Sequence, residues 1–377
     1  MMLINFLQSL YDRNSELQID SEVYRLLIED IEYFSIAPQV YFFLKQQNRL
    51  DRTPPFFQNR LKNMYNQGLI QNLFIKNQME KILTSLDELK IPTIPLKGIL
   101  FAEKVFGHFA ARSTSDIDLL IMPDHLNIVI DCIKKLGFTM EEECAPGHFH
   151  CSLSKEIPGS PIPLTVEIHW DILKQKTSRF DITEFWAEAV PLKPYTFIKQ
   201  LSEHHTFYMI CLHAWRHNLD SMKHFLDILQ CISFFGDQID YDKLMKDAVR
   251  HKTLKRMVRT LAIVYRTFPL FQTICPLPIQ ANKGIWWQYE AIRNTSFRNT
   301  KVYLDYFDYL FFSFDTLKHQ LHAIGEWIFP SAFDLAFEQE VNGKIYFFDY
   351  LKLYHKRCTG YIKSIFLHRK AESSRRG

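Results

Sequence analysis

The stretches RSTSDIDLLI (112–121) and LTVEIHWDI (164–172) decide how this chain is read. In the first, Asp116 and Asp118 flank Ile117, and an apolar run follows. Period-2 geometry predicts a strand over 116–122 in which both carboxylates share one face while Ile117 and Leu119 enter a core. In the second, Val166 and Ile168 alternate with Glu167 and His169. A strand over 164–172 then carries the acid and the imidazole on the face opposite its apolar side chains. Two ionised carboxylates a few ångströms apart repel each other, and a bound cation relieves that repulsion. Mg²⁺ takes one or two carboxylates together with water and phosphate oxygens. A third carboxylate on a neighbouring strand, Glu167, admits a second ion about 3.5–4 Å from the first. Such a site suits phosphoryl-type transfer, which rests on positioning and charge stabilisation.

The surrounding segments extend this picture. IPTIPLKG (91–98) reads as a short strand running into a turn, and ILFAEKVF (99–106) as a helix that Gly107 terminates. Pro123-Asp124 ends the Asp-Ile-Asp strand, and 124–136 reads as a helix closed by Gly137. Phe138 to Leu153 supplies a further strand or hairpin, and EIPGSPIP (156–163) a turn-rich loop.

Both flanks are helical in texture. Val23, Leu27 and Ile31 recur at i, i+4 and i+8, with Leu26 beside them. Leu69 and Leu73, then Ile75 and Met79, repeat that spacing before Ile82, Leu83 and Leu86. Pro54-Pro55 marks a loop between helices. After residue 200, HHTFYMICLHAWRH, MKHFLDILQCISFF and YDKLMKDAVR read as successive helices. A proline-bearing connector covers 268–284, and an aromatic-rich helical region runs from about 285 to 370. The expected organisation is a helical region over 1–90, a catalytic core over 91–200, and a helical domain with a basic tail over 201–377.

Composition agrees with a globular, helix-rich chain: 47% hydrophobic and 23% charged, with 12 glycines against 32 phenylalanines. No run approaches a membrane span, the start lacks a signal-peptide pattern, and the seven cysteines have no paired spacing. A reducing cytoplasm is expected. The net charge of +3 is uneven, because 352–377 hold eight Lys/Arg against one acid, Glu372. That tail reads as a solvated helix or as a contact for an acidic partner. No P-loop, Rossmann or nucleophile-elbow motif occurs. Cys144, His148, His150 and Cys151 have zinc-ligand residue types, but their spacing fits no standard finger, and His148 or His150 can instead face a cleft. The aromatics of 303–315 alternate too irregularly for base stacking and read as packing.

LKGILFAEKVFG (96–107), RSTSDIDLLI (112–121), KKLGF (134–138) and VEIHWDI (166–172), in this order, resemble the DNA polymerase β-type nucleotidyltransferase superfamily. The closest likeness is to its bacterial branch of largely uncharacterised nucleotidyltransferases. The likeness covers about 91–175 and extends loosely to ICLHAW (210–215) and KHFLDIL (223–229). It implies an α+β fold: a small mixed β-sheet nucleotidyltransferase core flanked by N-terminal and C-terminal helical regions. It implies that Asp116, Asp118 and Glu167 hold Mg²⁺ or Mn²⁺, two ions in all. The superfamily's phosphate-binding turn maps onto Lys97-Gly98, where helix-start N–H groups meet NTP phosphates. Many members carry Gly-Ser or Gly-Gly there, with a shorter gap to the first aspartate.

Other residues join this reading. Arg112 is either a contact for a triphosphate or acidic acceptor, or a surface ion pair. Ser113 and Ser115 offer hydroxyls. His169 orients a metal-bound carboxylate or moves a proton, or is a structural histidine at the sheet edge. His213 and His217 are an i,i+4 pair, as are Lys223 and Asp227. By resemblance this region walls the nucleotide cleft, with Lys223 on a phosphate and Asp227 positioning Lys223. The expected activity is metal-dependent transfer of a nucleotidyl group from an NTP to a hydroxyl or phosphate acceptor, with release of pyrophosphate. The acceptor is a peptide, a small molecule or RNA. One alternative is tailoring of a peptide natural product from a nucleotide-sugar. Another is a non-catalytic nucleotide-binding or toxin–antitoxin module.

Overall fold

A computed structural model describes residues 2–12, 15–17, 20–142, 148–157, 162–279, 285–294, 296–297, 299–331, 335 and 348–357. The N-terminal helices are α1 (Met2–Tyr11), α2 (Ser21–Tyr33), α3 (Ala37–Gln46) and α4 (Pro55–Glu88). Pro54 stands before α4 and Pro55 opens it, where a missing N–H costs nothing. The β-rich part follows: β1 (Thr93–Pro95), α5 (Ile99–Phe101) running into a π-helical turn over Ala102–Phe106, β2 (Asp116–Ile121), α6 (Leu126–Lys135), β3 (Thr139–Glu142), β4 (His150–Lys155) and β5 (Leu164–His169). Gly107, in a left-handed conformation, ends the helical turn as expected.

These strands form one mixed sheet in the order β1-β2-β5-β4-β3. β2 and β5 are parallel, and the remaining pairs are antiparallel. The register sets Asp118 directly against Glu167. One face of the sheet buries Ile117, Leu119, Ile121, Val166 and Ile168 against α6 and the C-terminal half of α4. The other face turns Asp118, Glu167 and His169 toward a cleft. The strand β5 stops at His169, short of the expected Ile172. There Trp170 donates its N–H to the Phe149 carbonyl, and the Asp171 carboxylate takes the N–H of Ile172 at 2.7 Å, which turns the chain away from the sheet.

The helical body continues through α7 (Ile182–Ala187), α8 (Glu203–Arg216), α9 (Met222–Phe235), α10 (Tyr241–His251) and α11 (Leu254–Thr267). It packs with α1–α3 and the start of α4 into one large apolar cluster that runs from Leu3 to Phe314. The connector contains a short helix, Phe271–Ile274, and its residues 280–284 lie outside the described residues. Of the basic tail, Lys352, Lys356 and Arg357 are described, and 358–377 lie outside the described residues. Among the described residues no helix is long and apolar enough to cross a membrane.

Two expected core positions are exposed. Leu26 is 40% exposed and Leu73 57%. In α4 the inward place belongs to Asn72, whose amide donates to the carbonyls of Phe109 (2.9 Å) and Arg112 (2.7 Å). Leu73, one position on, is turned about 100° away. The α2 stripe narrows to Tyr24, Leu27 and Ile31 for the same geometric reason.

Candidate active site

The cleft lies between the acidic face of the sheet and helices α8 and α9, and holds about 310 Å³. Asp116, Asp118 and Glu167 line it together with Lys97, Arg112, Ser115, His169, His213, His217 and Lys223. Gly98 sits at the mouth of the turn with φ +77°, and its Cα approaches Thr114 and the Asp116 carbonyl closely enough that a Cβ would lie 3.4–3.5 Å from them. The turn thereby delivers Lys97, whose Nζ lies 2.9 Å from Asp116 Oδ2 and 2.8 Å from Asp118 Oδ2. Burial disfavours this ammonium, but the charges of Asp118, Asp116 and Glu167 outweigh it and hold the lysine protonated well beyond its ordinary range.

His169 Nε2 bridges Asp118 Oδ1 (3.2 Å) and Glu167 Oε2 (3.1 Å). Burial pushes this imidazole toward neutrality, yet its bonds to the two carboxylates raise its pKa. Burial likewise raises Glu167, but the hydrogen bond and charge of His169, with Lys97, pull it down to about 2. Asp118 is buried and still held below the ordinary carboxylate range by Lys97 and His169. Asp118 and Glu167 are therefore held in their ionised form, facing the Lys97 ammonium and the His169 imidazole. Ligand atoms of Asp118, Glu167 and His169 lie within 4.8 Å of one another, a spacing that can hold a metal ion.

Arg112 is not a surface residue. It is 3% exposed, and its Nε and Nη2 bond both oxygens of Asp227 at 2.7 and 2.8 Å. Asp227 thus pairs with Arg112 and not with Lys223. The guanidinium also lies over the Phe101 ring. Lys223 makes no ion pair among the described residues; burial and the Arg112 charge lower its pKa to about 8. Ser115 reaches the cleft, whereas the Ser113 hydroxyl donates to the Ser35 carbonyl and faces a neighbouring groove. His213 and His217 line the cleft.

Several residues that line or support the cleft were not singled out by sequence reasoning. His224 sits beside His213 and His217, Arg216 lies over the Phe149 ring, and Asn72 secures the loop that carries Arg112. The signal for His224 was its place seven residues after His217 across a helix break. For Asn72 it was a polar residue on an otherwise apolar helix stripe. His150 does face this side of the sheet, stacked on His169 at 5.3 Å. The zinc-type quartet is not assembled: Cys151 is buried in the sheet core, and Cys144 lies outside the described residues.

No curated protein matches the chain. Two solved structures of the antibiotic-resistance factor ANT(2'')-Ia are similar to it, one in solution and one a crystal complex with adenylyl-2''-tobramycin. The first is 17% identical with a TM-score of 0.33, covering 48% of this chain and 91% of that one. The second is 16% identical with a TM-score of 0.32, covering 48% and 96%. The family model described as "Uncharacterised nucleotidyltransferase" matches residues 25–269, which include every site residue described above. The chain therefore belongs to this nucleotidyltransferase family.

Proposed function

We propose that the protein transfers a nucleotidyl group from an NTP to an acceptor hydroxyl or phosphate, releasing pyrophosphate, with Mg²⁺ or Mn²⁺ held by Asp116, Asp118 and Glu167. The observation that carries this reading is the convergence of three carboxylates on one cleft wall, Asp118 and Glu167 paired across parallel strands. The donor set fits a hard divalent cation, which prefers carboxylate oxygens. Bound there, one or two such ions would supply charge neutralisation on the transferring phosphoryl and lower the pKa of the attacking oxygen. His169 positions Asp118 and Glu167 by bonding both. Lys97 pairs with both aspartates and, displaced from them by a cation, would be free to neutralise a donor phosphate. Lys223 adds a further cation on the opposite wall.

The acceptor would enter from an adjoining cavity of about 700 Å³ that shares Phe149, Ile172 and Arg216 with the cleft. Trp215, Tyr309, Phe314 and Trp327 line it. Lys174, Arg216 and Arg357 also line it, with Glu142 and Glu326, so the walls suit an acceptor with an apolar or aromatic body and a polar group, a side chain of a peptide or a small molecule. The test is incubation with each NTP, Mg²⁺ or Mn²⁺ and candidate acceptors, reading pyrophosphate and the mass added to the acceptor. Added nucleotidyl mass that disappears in Asp116→Asn and Asp118→Asn supports the reading. Normal turnover in either variant refutes it, and an added hexose mass would assign the tailoring alternative instead.

A further inference from the structure

The turn between α8 and α9 gathers a second set of ligand-type side chains, separate from the carboxylates. His213 comes from the last turn of α8, His217 is the residue that caps its C-terminus, and His224 comes from the first turn of α9. Their ring centroids are 4.7 Å (213 to 217), 4.9 Å (217 to 224) and 5.3 Å (213 to 224) apart. Asp220, in the turn itself, places Oδ1 3.2 Å from His224 Nε2. One donor atom from each of His217, Asp220 and His224 falls within a 4.8 Å group.

Two further features bear on what this cluster binds. His224 is 9% exposed, and its Nδ1 is buried without a hydrogen-bond partner. The Asp220 contact is made by the other nitrogen, Nε2, so an ion shared with Asp220 would bind at Nε2 and leave the N–H on Nδ1. The cluster also sits at the C-terminal end of α8, where the helix dipole favours positive charge.

We propose that His217, Asp220 and His224 form a site for a divalent transition metal of the zinc class, with His213 packed behind them. Two imidazoles and one carboxylate suit such an ion and not Mg²⁺, which prefers oxygen donors. Three protein ligands leave one tetrahedral position open. All three histidines also line the cleft, so the ion would sit at the edge of the space that the carboxylates face. The chemistry is thus divided: oxygen donors on the sheet for a hard ion, nitrogen donors on the helices for a softer one. The site does not depend on the nucleotidyl-transfer reading.

Titration of chelator-treated full-length protein with Co²⁺, a spectroscopically visible stand-in for Zn²⁺, tests the proposal. The expected result is a visible ligand-field band that saturates near one equivalent, is displaced by Zn²⁺, and persists in the Asp116→Asn/Asp118→Asn double variant. His217→Gln and His224→Gln should each weaken Co²⁺ binding roughly tenfold or more. Circular dichroism checks that both remain folded, and Asp220→Asn, at an exposed turn, gives a third variant whose fold is not at risk. A band that survives His217→Gln and Asp220→Asn unchanged, or one that vanishes with the aspartate pair alone, overturns the site. Pyrophosphate release with Mg²⁺ is read separately, so loss of one function leaves the other measurable.

Discussion

Replacing Asp227 with leucine should be the most destabilising single change in the cleft. The carboxylate is 1% exposed and takes two charge-assisted bonds from Arg112, which is itself 3% exposed. Without Asp227 the guanidinium stays buried with Nη1 on the Ser113 carbonyl at 3.4 Å and the Phe101 ring as its remaining contacts. Breaking a buried pair in this way costs about 3–5 kcal/mol. That is a large share of a total near 5–15 kcal/mol. Replacing both partners, Arg112→Met with Asp227→Leu, removes the stranded charge and should recover most of the loss, since apolar replacement of a whole buried pair is often neutral or better. Urea unfolding followed by tryptophan fluorescence and by circular dichroism gives the double-mutant cycle, and coincident transitions license its use. A loss below about 1 kcal/mol in Asp227→Leu, or a double variant no more stable than that single one, would refute the argument that this pair is sealed from water.

Gly98→Ala should destabilise by about 1–3 kcal/mol, because φ +77° with ψ −132° is glycine territory, and should weaken metal and NTP binding by shifting Lys97; a thermal melt and a Mn²⁺ titration read both effects. Lys97→Met should tighten Mn²⁺ binding to the carboxylates, since the competing ammonium is gone, while weakening NTP binding; unchanged Mn²⁺ affinity counts against that competition. In His169→Gln, Glu167 loses the bond and charge that hold it near pH 2, so its carboxyl titrates at higher pH and the acid limb of the activity profile should move upward. Lys223 is held at about 8, below a free lysine, so the unfolded chain binds the proton more tightly than the fold does. Its burial therefore opposes folding below about pH 8, and the penalty fades as pH rises toward the free-lysine range. Lys223→Met should accordingly be more stable than the native chain at pH 7, with the gap closing at alkaline pH in paired unfolding curves.

Local patterns carried much of this site. The alternation in DIDLLI and LTVEIHW was enough to predict two strands and the face each acid occupies, because a strand's two-residue period is a local property. The neighbour relation between Asp118 and Glu167 is not local, and it came from the resemblance in motif order. Pairings across long sequence separations were illegible for the same reason. Arg112 and Asp227 are 115 residues apart, and nothing in RSTSD marks the arginine as buried. The i,i+4 spacing of Lys223 and Asp227 pointed to the wrong partner, since a bidentate guanidinium binds both carboxylate oxygens and outcompetes a single ammonium. Leu73 was misplaced because an apolar repeat cannot report that Asn72 holds the inward position through two carbonyls.

The helix α4 runs for 34 residues, about 50 Å at the usual rise. Its Phe57 and Leu61 are embedded in the cluster of the helical body, and Ile75 to Leu86 in the cluster behind the sheet. One unbroken rod therefore acts as a girder between the two halves that face each other across the cleft. The gap between the acidic wall and the histidine-bearing wall is set by that girder's stiffness, and the Asn72 contacts fasten the Arg112 loop at its midpoint. Widening the gap along this path means bending or breaking a hydrogen-bonded helix, so admission of a bulky acceptor falls to the side chains and loops at the rim.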